Sequence, residues 1–231
     1  MFPNLQQRAE QLTERMDDPD ADRELLFNTY RQFADLNRKI SRWKTLFKAW
    51  IAPLSRTGKP LRILDIGCGG GDLCLNFAEW ALESGIEVQV SGIDPDPRAF
   101  EYLQQLSTPA NVEFRQCEAS DLIGYGEIYD VVVSNHLLHH LKNEEIYPFS
   151  VAAESLARKL ILFNDIRRNR TGFAAFALTA PWLYSSSYIV RDGFTSIRRS
   201  FTRNELQRML PEGWVVKKLI PSRLLAIREF S

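Results

Sequence analysis

The sequence contains few cysteines and no long uninterrupted apolar run. Its three cysteines form no Cys-x-x-Cys pair and its three histidines complete no zinc-binding pattern, so neither a disulfide framework nor a structural metal is expected. The longest apolar stretch, residues 172–184, is too short to cross a bilayer and contains a proline. The opening segment lacks the apolar core of a signal peptide, which predicts a cytoplasmic protein with no transmembrane segment.

Charge is balanced over the whole chain but not along it. The 231 residues include 29 Lys and Arg against 29 Asp and Glu. Residues 166–231 contain 12 basic and 4 acidic residues, an excess of 12 − 4 = +8, which leaves −8 for residues 1–165. This asymmetry indicates either an anionic partner near the C-terminal third or an ordinary solvated surface, and the solvated surface is the simpler interpretation.

The first two thirds of the chain divide into two patterns. Residues 1–58 predict a helical N-terminal cap, because apolar residues from Leu26 to Trp50 recur at helical spacing. Residues 59–165 alternate Val/Ile/Leu-rich strand segments with amphipathic helices. Such alternation is typical of a parallel sheet covered by helices on both faces.

The C-terminal third changes character but does not form a separate domain. Residues 166–204 predict a lid or substrate insertion, in which an apolar helix over residues 172–184 is followed mostly by loop. Residues 205–231 predict a last helix and a terminal antiparallel hairpin, with Thr202 as the N-cap of that helix. We therefore predict one domain of 231 residues with a cap and an insertion.

A glycine-rich segment directly follows the first predicted strand. It reads Asp65-Ile66-Gly67-Cys68-Gly69-Gly70-Gly71 and leads into a helix that begins at Asp72. Glycines let the backbone turn sharply and approach a ligand, and the helix N-terminus offers unpaired N–H groups. A dinucleotide-binding turn would place glycine or alanine where Asp72 stands, since an acid there would face the pyrophosphate. The P-loop pattern is absent from the sequence as well.

The Asp-x-Gly-x-Gly-x-Gly pattern resembles motif I of the class I S-adenosylmethionine-dependent methyltransferases. This resemblance implies an α/β, Rossmann-like fold with a seven-stranded, mostly parallel sheet whose last strand is antiparallel. It also implies S-adenosyl-L-methionine as the cofactor, with contacts from Asp65, Gly67, Cys68, Gly69 and Gly71. An acid suits this ligand, because its amino-acid tail carries an ammonium group and no phosphate.

Three later segments extend the resemblance, which covers residues 61–165. Asp94 ends the second strand and is followed by Pro95, where the acid of the family accepts both ribose hydroxyls. Glu118 and Ala119 stand where the family recognises the adenine, with glutamate in place of the commoner aspartate. Asn135 ends the fourth strand, which implies a position beside the methionine part of the cofactor.

All three histidines follow the fourth predicted strand, at positions 136, 139 and 140. Methyl transfer from a sulfonium is an in-line displacement, and a neutral hydroxyl acceptor also needs a base to take its proton. We predict His136 and His139 as candidates for this catalytic role; the alternative is that they shape the pocket or pack the start of a helix. A magnesium site near Asp165 is a weaker alternative, because catechol-type enzymes carry an acid where Asn135 stands.

The predicted cap and lid are rich in aromatic residues, which favours a small aromatic or apolar methyl acceptor, with oxygen preferred over carbon or nitrogen. The Asn/Asp-Pro-Pro-aromatic segment of nucleic-acid methylases is missing after the fourth strand, so nucleic acid is not an expected partner. The alternatives are a methyltransferase for a carrier protein or RNA, a non-catalytic cofactor-binding module, and an NAD-linked oxidoreductase. Arginines in the insertion leave room for peripheral membrane contact, and the sequence does not indicate an oligomeric state.

Overall fold

A seven-stranded sheet forms the centre of the computed structural model, which describes residues 3–230. The strand order is β3-β2-β1-β4-β5-β7-β6. Strands β1 to β5 pair in parallel, and β7 runs antiparallel to both β5 and β6. The predicted Rossmann-like sheet with an antiparallel last strand is therefore confirmed. Residues 1 and 2 of the predicted cap and residue 231 of the terminal segment lie outside the described residues. The strands are β1 (Leu61–Ile66), β2 (Val88–Ile93), β3 (Val112–Arg115), β4 (Tyr129–Asn135), β5 (Ala157–Ile166), β6 (Val215–Leu219) and β7 (Arg223–Glu229).

Helices cover both faces of this sheet. They are α1 (Arg23–Ile40), α2 (Trp43–Leu46), α3 (Asp72–Ser84), α4 (Pro97–Leu103), α5 (Ala119–Gly124), α6 (Asn143–Leu156), α7 (Arg170–Leu183), α8 (Ile189–Arg199) and α9 (Arg203–Met209). A π-helical turn over Phe47–Ile51 and a 3-10 turn over Ala52–Leu54 extend α2, and short 3-10 helices span Arg15–Asp17 and Leu138–His140. Within residues 3–230, no helix has both the length and the apolar character that a bilayer crossing requires.

Alternate residues of the strands supply two separate cores. On one face Ile63 and Val131 pack with Phe77 of α3, whereas on the other face Leu64 and Val132 join a cluster that includes side chains of α6 and α9. Burial on both faces explains why the strands are continuously apolar. The carboxyl ends of parallel strands meet at one edge of such a sheet, and that edge carries the site described below.

The N-terminal cap is not one continuous helical stripe, contrary to the prediction. Helix α1 ends at Ile40, and Arg42 adopts a left-handed conformation with φ of 64° before α2 begins. The two segments bury their apolar faces in different places, because Tyr30 packs with Tyr102 of α4 whereas Phe47 packs with Phe77 of α3. Helical spacing therefore continued through a change of direction that spacing alone does not reveal.

The segment after α7 is helical, so the prediction that residues 185–201 form mostly loop is wrong. Tertiary contacts stabilise α8 although its sequence contains β-branched residues and Gly193. Its Asp192 accepts hydrogen bonds from the backbone N–H groups of Arg15 (2.9 Å) and Met16 (2.9 Å). A Cβ atom on Gly193 would lie 2.2 Å from Cζ of Phe176, so this glycine permits the close packing of α7 against α8.

Candidate active site

The glycine-rich turn between β1 and α3 has the conformation that the sequence predicts. Gly69 has φ of 50°, in the left-handed region that favours glycine. A Cβ atom on Gly70 would lie 2.8 Å from Cβ of Tyr30, so the turn also lets α1 approach closely. The N–H groups of Gly67 and Cys68 both donate to the carbonyl oxygen of Ile93, which ties the turn to the end of β2.

Three carboxyl groups surround this turn and face a common cavity: Asp65, Asp72 and Asp94. Asp94 accepts hydrogen bonds from the N–H groups of Gly69 (2.9 Å) and Asp96 (3.0 Å). Burial raises the pKa of Asp94, and it raises the pKa of Asp72 to about 6 although Asn37 donates to that carboxylate. A site with several carboxyl groups of raised pKa is suited to a cationic ligand, since a positive charge would stabilise their ionised forms.

Asp65 is the most deeply placed of these acids, with 2% of its surface exposed. Burial and the neighbouring Asp72 raise its pKa well above the ordinary value. Its Oδ2 contacts only the weak donor Sγ of Cys74 (3.6 Å), and its Oδ1 has no hydrogen-bond partner among residues 3–230. A buried acid with an unpartnered oxygen fits a ligand that brings its own N–H donors, as the ammonium group of S-adenosylmethionine would.

The cavity brings together most of the residues that the sequence predicts to bind a cofactor. Its volume is about 560 Å³. Gly71, Glu118 and Ala119 do not line it: Gly71 faces Leu103 and Phe114, and Glu118 is exposed just before α5, of which Ala119 is the first residue. Their predicted contacts stay predictions. The predicted residues that line the cavity are Asp65, Gly67, Cys68, Gly69, Asp94, Pro95 and Asn135.

His136 directly follows β4, and a buried arginine holds its ring. Its Nε2 lies 2.6 Å from Nη1 of Arg223, and since a guanidinium has no acceptor, Nε2 accepts and the ring proton sits on Nδ1. Burial and the Arg223 cation lower the pKa of His136 well below its ordinary value. Arg223 also binds Oδ1 of Asn164 (2.8 Å) and Oδ1 of Asn135 (2.7 Å), so one side chain of β7 orders the ends of β4 and β5.

His139 lies in a different environment, between two carboxylates. Its Nδ1 is 2.7 Å from Oδ1 of Asp165, and its Nε2 is 3.4 Å from Oε1 of Glu14. Burial opposes a charge on this ring, but the two carboxylates outweigh burial and raise its pKa to about 10. At neutral pH His139 is then protonated, and the lone pair of His136 Nε2 is already engaged. Neither predicted histidine is therefore a free base in this structure, and their catalytic roles stay predictions.

Several residues of the site escaped the sequence analysis. Glu14 and Asp17 lie in a segment with no helical or strand periodicity, and Arg223 stands in the turn of a predicted hairpin. Asp72 was considered only as a residue that excludes a pyrophosphate. An acid at the first position of a helix is common because it interacts favourably with the helix dipole, so the sequence alone carries no signal that Asp72 faces the cavity.

Residues 58–179 match the family model of a methyltransferase domain. This chain belongs to that family. The matched range begins just before β1 and ends within α7, so it includes the glycine turn and the whole parallel part of the sheet. The predicted family, the class I S-adenosylmethionine-dependent methyltransferases, is confirmed, and with it the cofactor that the family uses.

The chain is also similar to curated methyltransferases. A ubiquinone biosynthesis O-methyltransferase of Cereibacter sphaeroides is 30% identical over 134 residues, which are 57% of this chain and 51% of that protein. The protein of the same name from Azorhizobium caulinodans is 34% identical over 127 residues, 54% of this chain and 48% of its own length. The chain thus spans about half the length of the curated relatives it matches.

Solved structures share the fold at low sequence identity. The plantazolicin methyltransferase BpumL, in complex with a triazolic desmethylPZN analogue and SAH, superimposes with a TM-score of 0.60 at 16% identity and covers 92% of both chains. Magnesium protoporphyrin IX methyltransferase (ChlM) from Synechocystis PCC 6803 with bound SAH has a TM-score of 0.53 at 17% identity and covers 87% of this chain and 84% of its own. These similarities support the fold of this chain.

Proposed function

We propose that this chain is an S-adenosylmethionine-dependent methyltransferase that methylates an oxygen atom of a small aromatic or apolar acceptor. The observation that carries this proposal is the continuity of the cavity. The same cavity contacts the glycine turn and Asp94 at one end and aromatic side chains of the cap and insertion at the other. A methyltransferase needs such an arrangement, because cofactor and acceptor must meet in line with water excluded.

The cofactor end of the cavity would bind S-adenosylmethionine through backbone and acids. Gly67 to Gly69 would face its amino-acid part, with Asp65 as the acceptor for the ammonium group. Asp94 retains free acceptor positions on both oxygens, since a carboxylate has about four and two are taken by N–H groups. These positions fit the two ribose hydroxyls.

The acceptor end is formed by side chains from distant segments. Phe33 comes from α1, Phe176 comes from α7, and Tyr184 is the residue after α7. Flat aromatic walls suit a phenol or quinol ring. The names of the relatives, which refer to O-methylation in ubiquinone biosynthesis, support the same acceptor class. We infer that the cap and the insertion act as the lid of a single domain.

The basic excess of residues 166–231 gives little support to a macromolecular acceptor. Arg168, Arg199 and Arg223 are buried, with 3%, 6% and 1% of their surfaces exposed. Arg168 pairs with Glu205 at 2.5 Å, and Arg199 donates to the carbonyl oxygens of His139 and His140. Three of the twelve basic residues of this segment therefore lie inside the fold and do not contribute to a docking surface.

The protein's part in the reaction is alignment and exclusion of water, because the sulfonium itself supplies the leaving group. Arg223 fixes Asn135 and His136 at the end of β4, and Phe33 stacks on the His136 ring with 6.0 Å between ring centroids. His136 in this setting positions the wall of the pocket. Substitution of His136 should then raise the KM of the acceptor more than it lowers kcat.

The proposal is tested by incubating the protein with S-adenosylmethionine and a panel of phenols, catechols and quinols, with mass detection of the methylated product. We expect transfer to a hydroxyl oxygen of at least one ring acceptor. Transfer only to RNA or to an acylated carrier protein would overturn the small-molecule acceptor. Tight binding of the cofactor without transfer to any acceptor would favour the non-catalytic module.

A further inference from the structure

Three potential metal ligands from two distant segments converge on one wall of the cavity. Glu14 precedes the first short 3-10 helix, and His139 and His140 belong to the 3-10 helix that follows β4. Nε2 of His139 lies 3.4 Å from Oε1 of Glu14, and Nε2 of His140 lies 3.8 Å from Oε2 of the same carboxylate. All three side chains line the cavity.

Each histidine is oriented by a second carboxylate on its other nitrogen. Nδ1 of His139 is 2.7 Å from Oδ1 of Asp165, and Nδ1 of His140 is 3.0 Å from Oδ2 of Asp17. Both Nε2 atoms therefore point toward Glu14. A carboxylate on the non-ligating nitrogen is the arrangement that orients metal-binding histidines in proteins.

We propose that Glu14, His139 and His140 form a binding site for a divalent transition metal of the zinc class. In a tetrahedral zinc site with ligand distances of 2.0–2.1 Å, neighbouring ligand atoms lie about 3.3–3.4 Å apart. The separations of 3.4 and 3.8 Å run from the two histidines to different oxygens of Glu14, and ligand atoms taken one from each residue lie within 4.8 Å of one another, so a contraction around the ion would bring them to tetrahedral spacing. Two imidazoles and one carboxylate leave a fourth position open, as in catalytic zinc sites.

The charges around the cluster favour a cation. Three carboxylates, those of Glu14, Asp17 and Asp165, surround the two rings. The guanidinium groups of Arg8 and Arg199 donate hydrogen bonds to the backbone carbonyl oxygens of these histidines. At neutral pH the proton on His139 brings the sum to −3 + 2 + 1 = 0, and a metal that binds this ring must displace that proton, which leaves the surrounding groups with −3 + 2 = −1. The charge of a divalent ion would take the place of the proton that the ligand releases.

A second set of nearby ligands is less suitable. His136, His139 and Asp165 are also close enough to share an ion. However, Nε2 of His136 accepts a hydrogen bond from the Arg223 guanidinium at 2.6 Å. A metal at that nitrogen would have to displace a buried cation, so the structure favours the site at Glu14.

One consequence rests on the proposed function. A hydroxyl oxygen of the acceptor in the open fourth position would have its pKa lowered by the metal and would lose its proton to solvent as it binds, before water is excluded for methyl transfer. The metal would then activate the hydroxyl without a general base, which neither His136 nor His139 provides in this structure. The site itself depends only on the three ligands.

The test is a titration of the metal-free chain of 231 residues with Co²⁺, a spectroscopic substitute for zinc, in the absence of S-adenosylmethionine. We expect one Co²⁺ per chain, the strong visible absorption of a four-coordinate site, and displacement by Zn²⁺. Glu14→Gln and His140→Gln should each abolish this absorption. His136→Asn is the matched control and should retain it, because it removes a histidine of the same segment and asparagine tolerates the φ of 60° at that position.

Far-UV circular dichroism and thermal unfolding would show whether each variant is folded. Failure of the folded wild-type protein to bind Co²⁺ stoichiometrically would overturn the site. Loss of the absorption in His136→Asn with retention in His140→Gln would overturn it as well, by moving the ion to the other cluster. Calorimetric binding of S-adenosylhomocysteine by the same metal-free protein separates a failure here from a failure of the proposed methyltransferase function.

Discussion

The two ends of the cavity are built in different ways. The cofactor end consists of one continuous segment, residues 65–72, together with Asp94 at the end of the neighbouring strand, and it presents mainly backbone. The acceptor end consists of side chains from residues that are far apart in the chain, among them Glu14, Phe33 and Arg223. The first is readable as a motif, whereas the second exists only after folding. Mutations should therefore act on backbone geometry at one end and on side-chain networks at the other.

The largest effect is expected at the glycine turn. A Cβ atom on Gly71 would lie 2.5 Å from Cδ2 of Leu103, and its φ is 72°. Overpacking and left-handed strain add, so Gly71→Ala should lower the free energy of unfolding in urea by about 2–5 kcal/mol. Gly85→Ala is the matched control, since Gly85 has φ of 66° but no atom within 4 Å, and it should cost about 1–2 kcal/mol. Equal losses in both variants would contradict the close packing at the turn.

Arg223 is expected to be nearly as sensitive, for a reason that belongs to the acceptor end. Arg223→Met leaves the oxygens of buried Asn164 and half-buried Asn135 without this donor, so the free energy of unfolding should fall by about 2–4 kcal/mol. Loss of the cation should also raise the pKa of His136, which a titration followed by NMR measures. Arg228→Met on the same strand changes a partly exposed ion pair and should cost less than about 1 kcal/mol. An unchanged pKa of His136 would show that Arg223 does not control that ring.

Asp94 should contribute directly to cofactor binding. Asp94→Ala removes the proposed acceptor of the ribose hydroxyls, so binding of S-adenosylhomocysteine should weaken by about 1–3 kcal/mol in calorimetry. Glu87→Ala removes the same charge from the residue just before β2, at the opposite end of that strand, and should leave the affinity unchanged. Equal affinities of the two variants would refute the ribose contact.

Cofactor binding should also depend on pH through Asp72. Its pKa is about 6 in the free protein, and a cationic ligand favours the ionised carboxylate. Binding must then expel the proton of Asp72 below pH 6, so this residue should make the affinity fall by at most about tenfold per pH unit below that pH. Asp72→Asn should flatten this dependence. An unchanged slope in that variant would assign the titration to another acid.

The smallest effect is expected on the outer face of α7. Trp182 is 89% exposed, so Trp182→Ala should change the stability by less than about 0.5 kcal/mol and leave acceptor kinetics unchanged. Phe176 lies on the cavity side of the same helix. Phe176→Ala should lower kcat/KM for the acceptor roughly 5- to 30-fold, which corresponds to a loss of about 1–2 kcal/mol of transition-state stabilisation. Similar kinetics in the two variants would exclude α7 from the acceptor pocket.

Sequence reasoning predicted the elements whose signals are local. The strand, glycine turn and helix from Leu61 onward follow from residue types in order, and so does the N-cap at Thr202, whose side chain accepts the N–H of Glu205. Helix α8 was missed because the face that it buries is mostly polar, with Asp192, Ser196 and Arg199 beside Ile189 and Ile197, so a search for apolar spacing does not find it. The break at Arg42 was missed because one helical spacing continues through two helices that pack in different places.

The same distinction between local sequence signals and tertiary contacts applies to the residues of the site. Most of the residues predicted to bind the cofactor line one cavity, since strand ends in a parallel sheet bring motif residues to one edge. Glu14 and Arg223 were not found, because their importance lies in what they contact: a histidine pair for Glu14, and two asparagines and a histidine for Arg223. Such partners come from tertiary structure alone.

The central claim is that the bend after β1 binds a positively charged sulfonium nucleoside. Isothermal calorimetry of the wild-type protein with S-adenosylmethionine, S-adenosylhomocysteine and NADH tests it directly. The account predicts one molecule of either sulfur compound bound per chain and no heat with the dinucleotide. Saturable binding of NADH, with no heat from either sulfur compound, would contradict it.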